Sequence, residues 1–341
     1  MAEKAAAAPQ IRPALRHITM ATDHSETLVT VFGGSGFLGR HVVRALAKRG
    51  YRIRVAVRRP DLAGHLQPLG RVGQIHAVQA NLRYPASVQA AVRDAGVAVN
   101  LTGILYERGR QSFEAVHAQG ADAIARAAAA HGARMVHVSA LGANAQSGSL
   151  YARSKAEGEK LVLAAVPSAV VFRPSVVFGP DDDFLNRFAA LARLAPALPL
   201  IGGGHTRFQP VFAGDVAEAI SLAVDGAAKA GTTYELGGPE VLTFKELMEF
   251  ILAVIERKRL LIPVPFWAAK LKAAFLQYMP TPLLTPDQVE LLKSDSIVSD
   301  EAAHEGRTFA GLGLEPHSLE AIAPSYLWRF RKAGQFTSRT A

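Results

Sequence analysis

The chain has 341 residues; 49% of them are hydrophobic, 20% are charged and none is cysteine. These values exclude a disordered chain, and the lack of thiols excludes disulfide bonds, thiolate catalysis and cysteine-ligated metal centres. The net charge of +9 is placed unevenly, because residues 1–60 hold 11 Lys and Arg against 3 Asp and Glu. Nucleic-acid-binding proteins spread their cations over a face or a helix, so the sequence argues against a nucleic acid as partner.

Residues 1–27 are rich in alanine and show no amphipathic period. They also lack the apolar core and the small-residue cleavage site of a targeting peptide. We therefore expect a disordered tail, or an upstream start codon with Met20 as the true first residue. No stretch of the chain reaches the roughly 18 uncharged apolar residues of a membrane span, which predicts a soluble or peripheral protein.

A nucleotide-binding pattern follows this tail. Residues 28–32 predict a buried strand, and helical spacing resumes after the glycine-rich stretch 33–39, with a second strand beyond it. In this order Gly33 permits a tight turn, Gly36 lets the backbone approach a pyrophosphate, and Gly39 allows close packing of helix on strand. The helix N-terminus offers free N–H groups to phosphate. We expect a dinucleotide to be held by Gly33, Ser35, Gly36, Phe37, Leu38 and Gly39.

The residues after the second predicted strand indicate which dinucleotide binds. In NAD-binding versions of this fold an Asp or Glu at this point accepts a hydrogen bond from the ribose 2′-hydroxyl. Here the strand ends in Arg58 and Arg59, whose planar guanidinium groups suit a 2′-phosphate. We therefore predict NADP(H), with Arg58 the better candidate and Arg59 the next. The alternatives are a solvated basic loop, or a shifted loop that brings Asp61 to the ribose.

Strand and helix patterns alternate as far as Pro174 and include a long alanine-rich helix over residues 113–131. This alternation predicts an α/β Rossmann fold, a doubly wound parallel sheet covered by helices on both faces. After Pro174 the alternation fails, but Thr233–Leu236 is expected to return to the sheet, and a capping box at Thr243 begins a helix. We predict a tail at 1–27, a Rossmann domain at 28–175 with a returning segment at 206–236, and a smaller C-terminal lobe at 176–205 and 237–335.

Three side chains form a candidate proton-transfer group. Tyr151 and Lys155 are four residues apart, hence on one face of a predicted helix, and Ser139 ends the strand before it. The usual pKa of tyrosine, about 10, is too high for acid–base work near neutral pH. A nearby lysine, together with an oxidised nicotinamide, favours the phenolate. We predict Ser139, Tyr151 and Lys155 as catalytic, with Tyr151 and Lys155 also touching the cofactor.

On these motifs the chain resembles the atypical and extended branch of the short-chain dehydrogenase/reductase superfamily, from about residue 28 to residue 264. Further matching motifs are NLTG at 100–103, SALGA at 139–143, RPSVVFGP at 173–180 and DVA at 215–217. The chain departs from the pattern of this branch at two points. By the resemblance, Asn81 stands in place of the Asp that meets adenine. HAQGA at 117–121 stands in place of the usual helix Asn and Gly-Thr, which weakens the case for a working proton relay. It also implies that the cofactor site includes Asn81, Leu82, Thr102, Gly103 and Pro174.

The second half is similar to the dehydrogenase-like accessory subunit of respiratory complex I, the NADH:ubiquinone oxidoreductase, and to its bacterial relatives. The similar segments are FLNRFA at 184–189, QPVF at 209–212 and TPLLTPDQVE at 281–290. This resemblance implies a tightly held NADPH with a mainly structural role, linked to the respiratory enzyme or to quinone metabolism. It also implies a cytoplasmic protein, peripheral at the inner face of the cytoplasmic membrane. The alternative is an active NADP-dependent oxidoreductase or epimerase/dehydratase that uses the triad on a small hydroxyl or carbonyl substrate.

Two further features of the sequence bear on ligands and partners. The 11 histidines show no metal-binding spacing, and Asp181-Asp182-Asp183 is expected to be a solvated turn, so we predict no metal site. Residues 266–278 predict a helix that packs on the body of the protein or lies against a membrane or a partner. Five of its apolar residues fall on one face, with Lys270 and Lys272 off it: Trp267, Leu271, Ala274, Phe275 and Tyr278.

Overall fold

The computed structural model describes residues 24–280 and 282–332. Residues 1–23 of the predicted tail and 333–335 of the predicted lobe lie outside this range. The strands are β1 (Leu28–Phe32), β2 (Arg52–Val57), β3 (Ile75–Gln79), β4 (Val97–Asn100), β5 (Arg134–Val138), β6 (Val170–Pro174), β7 (Val177–Phe178), β8 (Ala197–Ile201), β9 (Arg207–Phe208), β10 (Val211–Phe212), β11 (Thr233–Leu236), β12 (Leu242–Thr243) and β13 (Leu260–Val264).

The helices are α1 (Phe37–Lys48), α2 (Pro85–Val92), α3 (Gln119–Ala130), α4 (Leu150–Ala165), α5 (Leu185–Leu194), α6 (Ala213–Asp225), α7 (Phe244–Val254), α8 (Phe266–Leu276), α9 (Pro286–Leu291), α10 (Asp300–His304), α11 (Leu319–Ile322) and α12 (Pro324–Leu327). Within the described ranges, no helix is both long and apolar enough to cross a bilayer.

The central element is a seven-stranded sheet in the order β11-β6-β5-β4-β1-β2-β3. Every neighbouring pair in it is parallel. The chain leaves β1 in one direction through β2 and β3, and continues in the other from β4, so the strand order switches between β1 and β4. Ligands of such sheets bind in the crevice at this switch point. The predicted doubly wound fold and the return of Thr233–Leu236 to the sheet are confirmed.

Helices cover both faces of the sheet, which is why its strands are apolar on both sides. Helices α1 and α6 pack together on one face, and α2, α3 and α4 pack on the other. Strand β1 serves both layers by alternation: Val29 and Val31 lie in the core with α1, whereas Phe32 lies in the core with α3. Both layers therefore hold β1 in place, immediately before the glycine-rich turn.

A second hydrophobic core lies among the segments that follow β6. It gathers buried side chains of α5, β8 and α7 around Phe178 and Phe244. Three two-stranded ladders accompany it, β7 with β10, β8 with β13, and β9 with β12. Strands of two residues leave no period in a sequence, which is why most of them were not predicted. The capping box at Thr243 and Glu246 does start α7. The division into Rossmann domain and lobe stays a prediction. Phe309 belongs to the range that was assigned to the lobe, but it packs in the same core as Val29.

The helix predicted over residues 113–131 is divided in the structure. Glu114–Ala118 forms a π-helical turn, and α3 begins at Gln119. Helix α4 lies very close to this turn at Gly158. A β-carbon added to Gly158 would lie 2.2 Å from the His117 carbonyl oxygen, so only glycine fits there. Alanine-rich spacing looks the same in either kind of helix, so the sequence could not show the change. Single π-turns often accompany functional sites, and this one carries His117.

Candidate dinucleotide and proton-transfer site

The predicted cofactor residues lie at one edge of the parallel sheet. The carboxyl ends of parallel strands meet at that edge, which opens into the binding crevice. In the order of the strands β1 to β6, the residues that end or follow them are Gly33, Arg58, Asn81, Thr102, Ser139 and Pro174.

The glycine-rich turn brings α1 unusually close to β1. A β-carbon on Gly39 would lie 2.3 Å from the Gly33 carbonyl oxygen, so glycine is required there. Gly33 itself has a φ of +78°, which also favours glycine. Gly36 precedes α1 in an extended conformation, and no side chain caps that helix. The amides of its first turn are therefore available to phosphate oxygens. The turn and the first two helical residues complete this cradle with Ser35, Phe37 and Leu38.

The two arginines after β2 have different partners. Both side chains are exposed. Arg58 Nη1 donates to Gln111 Oε1 at 2.6 Å. Arg59 forms an ion pair with Asp61 at 2.7 Å, which lowers the pKa of that carboxyl group. A 2′-phosphate would have to displace only a neutral amide from Arg58, whereas Arg59 and Asp61 already neutralise each other.

The turn after β3 is held by local hydrogen bonds. Asn81 Oδ1 accepts from the Arg83 amide at 3.2 Å, and the Asn81 amide donates to Ser87 Oγ at 3.0 Å. Leu82 packs against α3, where a β-carbon on Gly120 would lie 2.6 Å from Leu82 Cδ1. Asn81 therefore stands in a fixed turn with its amide oxygen already used.

Asn100, the last residue of β4, is fully buried and organises the next turn. Its Oδ1 accepts from the Thr102 amide at 3.0 Å and from Thr102 Oγ1 at 2.5 Å. Its Nδ2 therefore faces His137 Nδ1, at 3.1 Å, and donates to it. This bond places the His137 proton on Nε2, which is buried and has no partner among the described residues. Burial, followed by the charge of Lys155, lowers the pKa of His137 to about 3, so the ring is neutral.

The structure brings Tyr151 and Lys155 together with the strand end that carries Ser139. Lys155 Nζ lies 5.9 Å from the centre of the Tyr151 ring and donates at 3.3 Å to the carbonyl oxygen of Val138. Gly103 lies beside the same ammonium, because a β-carbon on it would be 3.5 Å from Lys155 Nζ. The glycine leaves room at this point for a ligand to reach the lysine.

The environment of the tyrosine opposes its ionisation. Burial raises the pKa of Tyr151 to about 12, and the nearby Asp287 carboxylate acts in the same direction. Burial also lowers the pKa of Lys155 to about 8, although Glu159 opposes that shift. Near neutral pH the phenol is therefore protonated, and the cation that would stabilise a phenolate is itself weakened by burial.

Ser139 contributes a buried hydroxyl group that lacks a partner. Its side chain is 4% exposed, and within the described ranges nothing hydrogen-bonds to Oγ. The main chain is fixed, since the Ser139 amide donates to the Phe172 carbonyl oxygen at 2.7 Å. Buried polar atoms are rarely left unpaired, so this hydroxyl points to a ligand that would satisfy it.

A buried histidine, His117, occupies the position where the resemblance leads us to expect an asparagine. The Ile104 amide donates to His117 Nε2 at 3.0 Å, which leaves the proton on Nδ1, 2.9 Å from Ser154 Oγ. Ser154 in turn donates to the Tyr151 carbonyl oxygen at 2.8 Å. Burial, followed by the charge of Lys155, lowers the pKa of His117 to about 2. This neutral histidine ties the turn after β4 to the backbone of α4.

Asp287, from the distant helix α9, holds the start of α4. Its carboxylate accepts from Ser149 Oγ at 2.8 Å, from the Leu150 amide at 2.6 Å and from the Tyr151 amide at 3.2 Å. Negative charge at a helix N-terminus is stabilising, so this contact anchors the Tyr151 helix to α9. The same charge disfavours a Tyr151 phenolate.

A cleft of about 320 Å³ opens beside this helix start. Its walls come from the segment before the π-turn and the start of α4 on one side and from α8 and α9 on the other, including Phe113, Leu150, Lys270, Gln277, Asp287 and Glu290. In the described part of the chain, no three His, Cys, Asp or Glu residues are grouped to hold a metal ion.

Asn100, His117 and Asp287 were not predicted as site residues. Asn100 and His117 lie in sequence segments that were compared in the resemblance. Asn100 is a polar residue at the end of an apolar strand, and this feature of the sequence could have identified it as a site residue. Asp287 stands in the first turn of α9, behind the cap Thr285. Its partners Ser149 to Tyr151 are remote in sequence, so no local pattern could reveal its role.

The profile of the NAD dependent epimerase/dehydratase family matches residues 29–237. The chain belongs to this family. A solved dTDP-glucose 4,6-dehydratase from Streptomyces venezuelae, with NAD and TYD bound, has the same fold, with a TM-score of 0.69, 21% identity, and cover of 89% of this chain and 96% of that one. These findings confirm the predicted short-chain-dehydrogenase-like, NAD(P)-binding class.

Two relatives of this chain have names that indicate different roles. The chain is 39% identical to NADH dehydrogenase (ubiquinone) 1 alpha subcomplex subunit 9, mitochondrial, of Arabidopsis thaliana, over 91% of this chain and 79% of that protein. It is 40% identical to the ceramide reductase of Caulobacter vibrioides, over 53% of this chain and 56% of that protein. The predicted similarity to the complex I accessory subunit is confirmed.

Proposed function

We propose that the chain holds NADPH in a mainly structural role, as a peripheral partner of the respiratory NADH:ubiquinone oxidoreductase at the inner face of the cytoplasmic membrane. Similarity to the Arabidopsis complex I subunit over 91% of the chain supports the partner. The location is proposed for the same reason, since a partner of a membrane enzyme works at the membrane.

One observation carries the structural role over catalysis: His117 stands where the resemblance leads us to expect the asparagine of a proton relay. Its Nε2 accepts from the Ile104 amide, its Nδ1 faces Ser154 Oγ, and its lowered pKa keeps the ring neutral. The environment of Tyr151 adds to this, because burial and Asp287 raise its pKa to about 12 and disfavour the phenolate that a general base requires. A protonated phenol can still donate a proton to a carbonyl, so the role of Tyr151 is decided by the Tyr151→Phe variant.

The residues at the sheet edge suit NADPH. The turn around Gly36 and the open N-terminus of α1 would hold the pyrophosphate, and Arg58 would hold the 2′-phosphate. The unpaired Ser139 hydroxyl and the space at Gly103 would meet the nicotinamide end beside Lys155. When bound, NADPH would supply a transferable hydride.

A second candidate function is an active NADP-dependent oxidoreductase or epimerase/dehydratase. The specific observation in its favour is the buried, unpaired Ser139 Oγ near the Tyr151 helix, with a cleft next to that helix. The similarity to a bacterial ceramide reductase adds a lipid carbonyl to the substrate classes worth testing.

The test is to purify the protein, identify the nucleotide that comes with it, and offer quinones and carbonyl compounds to the NADPH-loaded protein. The proposal expects NADPH to remain bound and its slow oxidation to be the same in wild type and Tyr151→Phe. Appreciable oxidation that collapses in Tyr151→Phe would establish the enzyme instead. Tighter binding of NADH than of NADPH would overturn the choice of cofactor.

A further inference from the structure

Helix α8 turns its small residues inward and its large apolar residues outward. Ala269 and Ala273 are buried against α9, in a core with Val289. The opposite side carries three exposed apolar side chains at helical spacing, and a fourth follows the helix end. These residues, which we call the α8 outer face, are Trp267 at 73%, Leu271 at 59% and Phe275 at 73% exposure, and Tyr278 at 83%. A soluble surface rarely gathers so much apolar area, and such patches mark interaction sites.

The sequence around this face is basic without interruption. Residues 257–286 contain five Lys and Arg and no Asp or Glu. Lys270 is balanced by Glu290 at 3.6 Å, whereas Lys272 is exposed on the helix. In the strand that leads into α8, Leu260 and Ile262 are exposed at 70% and 49%. Arg257 and Arg259 donate to the main-chain carbonyl oxygens of Phe330 and Ala192, so the cations on the helix itself are Lys270 and Lys272. Their charge would attract an anionic partner.

We propose that the α8 outer face lies in the headgroup region of an anionic lipid bilayer. Trp and Tyr beside lysines on a short apolar helix are the composition of an interfacial helix, with the rings in the headgroup layer and the ammonium groups on lipid phosphates. Protein–protein interfaces share the aromatic residues of this face but are depleted in lysine, so it is the lysines on α8 that favour lipid over a protein. A second copy of the chain would bring the same positive charge against it.

This inference deepens the proposed function, because it names the surface that holds the NADPH-loaded protein at the membrane. The chain has two tryptophans, so Trp328→Phe leaves Trp267 as the single reporter. The NADPH-loaded protein is mixed with vesicles of phosphatidylcholine alone or with phosphatidylglycerol. Co-sedimentation and the Trp267 emission maximum are then measured at low and high salt.

We expect co-sedimentation with the anionic vesicles only, weakened by salt, with a blue shift of Trp267 emission. Lys272→Glu and Trp267→Ser should each weaken binding about tenfold or more. The matched controls Lys160→Glu and Leu194→Ser, on exposed side chains elsewhere, should bind as wild type does.

Absence of binding to anionic vesicles by folded, NADPH-loaded protein would overturn the inference, as would unchanged binding in Lys272→Glu and Trp267→Ser. Binding to the purified respiratory complex through this face without binding to vesicles would assign the face to a protein and also overturn it. Bound nucleotide is measured in the same samples. Loss of NADPH would contradict the proposed function and leave the vesicle result to decide the lipid contact on its own.

Discussion

At the scale of single residues, Arg58 and Arg59 differ although they are neighbours in sequence. Arg58 contacts a neutral glutamine, whereas Arg59 is paired with Asp61. The place of Arg58 directly after the strand β2 makes it the better candidate for the 2′-phosphate, and the ion pair of Arg59 gives a second reason for that order.

We expect Arg58→Ala to weaken NADPH binding about tenfold to a hundredfold, because a hydrogen-bonded charge pair with the 2′-phosphate is lost. NADH binding should stay unchanged, since NADH lacks that phosphate. Arg59→Ala is the matched control and should have a much smaller effect. Fluorescence titration with both nucleotides measures this, and equal losses for NADPH and NADH in Arg58→Ala would contradict the assignment.

The two buried histidines make stability depend on pH. Their pKa values in the folded chain are lowered from 6.5 to about 2 for His117 and about 3 for His137. Below pH 6.5 the unfolded chain takes up protons that the folded chain refuses, so the free energy of unfolding falls as pH falls. Each histidine contributes up to about 1.4 kcal/mol per pH unit.

We therefore expect the protein to lose about 3 kcal/mol of stability between about pH 7.5 and about pH 5.5, measured by denaturant unfolding. His117→Asn should show about half this loss, whereas the exposed His65→Asn should keep all of it. A free energy of unfolding that is equal at the two pH values would show that the histidines are not buried in the neutral form.

At the scale of elements, the parts that repeat a strong local pattern were predictable. The glycine-rich turn, the parallel strands and the returning strand β11 follow from apolar runs and turn residues. Other features do not follow from a local pattern, because they depend on which neighbour each element contacts. They are the π-turn at Glu114–Ala118, the ladder of β8 with β13 and the direction of the α8 outer face. The same holds for Asp287, whose carboxylate caps a helix far away in sequence.

Gly39→Ala tests the contact of α1 with β1. The new β-carbon would lie 2.3 Å from the Gly33 carbonyl oxygen, so the turn must open and its amides would no longer converge on a pyrophosphate. We expect loss of nucleotide binding and a stability cost of about 1–3 kcal/mol. Gly64→Ala is the control, because its β-carbon would meet nothing within 4 Å. Normal NADPH binding by Gly39→Ala would show that the cradle lies elsewhere.

The contact of α9 with α4 can be separated into its hydrogen bonds and its charge. Asp287→Ala removes the carboxylate that accepts from Ser149 Oγ and from the Leu150 and Tyr151 amides, and should destabilise the protein by about 1–2 kcal/mol in thermal or denaturant unfolding. Asp287→Asn keeps an acceptor oxygen but removes the charge, so the pKa of Tyr151 should fall. Ultraviolet titration, with Tyr151→Phe in the same background as reference, detects that change. An unmoved tyrosine titration would mean that burial alone sets the pKa.

In the whole molecule, the family fold brings Ser139, Tyr151 and Lys155 to one site, where Asp287 and burial hold the phenol of Tyr151 protonated. Arg58 follows the strand β2, where a nucleotide 2′-phosphate would bind, and Lys270 and Lys272 lie on the helix proposed to contact lipid. Both features fit a protein that contributes a bound nucleotide and a membrane-binding surface to its partner.

The amount of assembled NADH:ubiquinone oxidoreductase can be compared in membranes of cells that carry either Gly39→Ala or Tyr151→Phe in place of the wild-type chain. We expect Gly39→Ala, which should not hold NADPH, to lower the amount of assembled enzyme, whereas Tyr151→Phe should leave it at the wild-type level. An equal fall in Tyr151→Phe, or an unchanged level in Gly39→Ala, would show that the bound nucleotide is not a structural contribution to the enzyme.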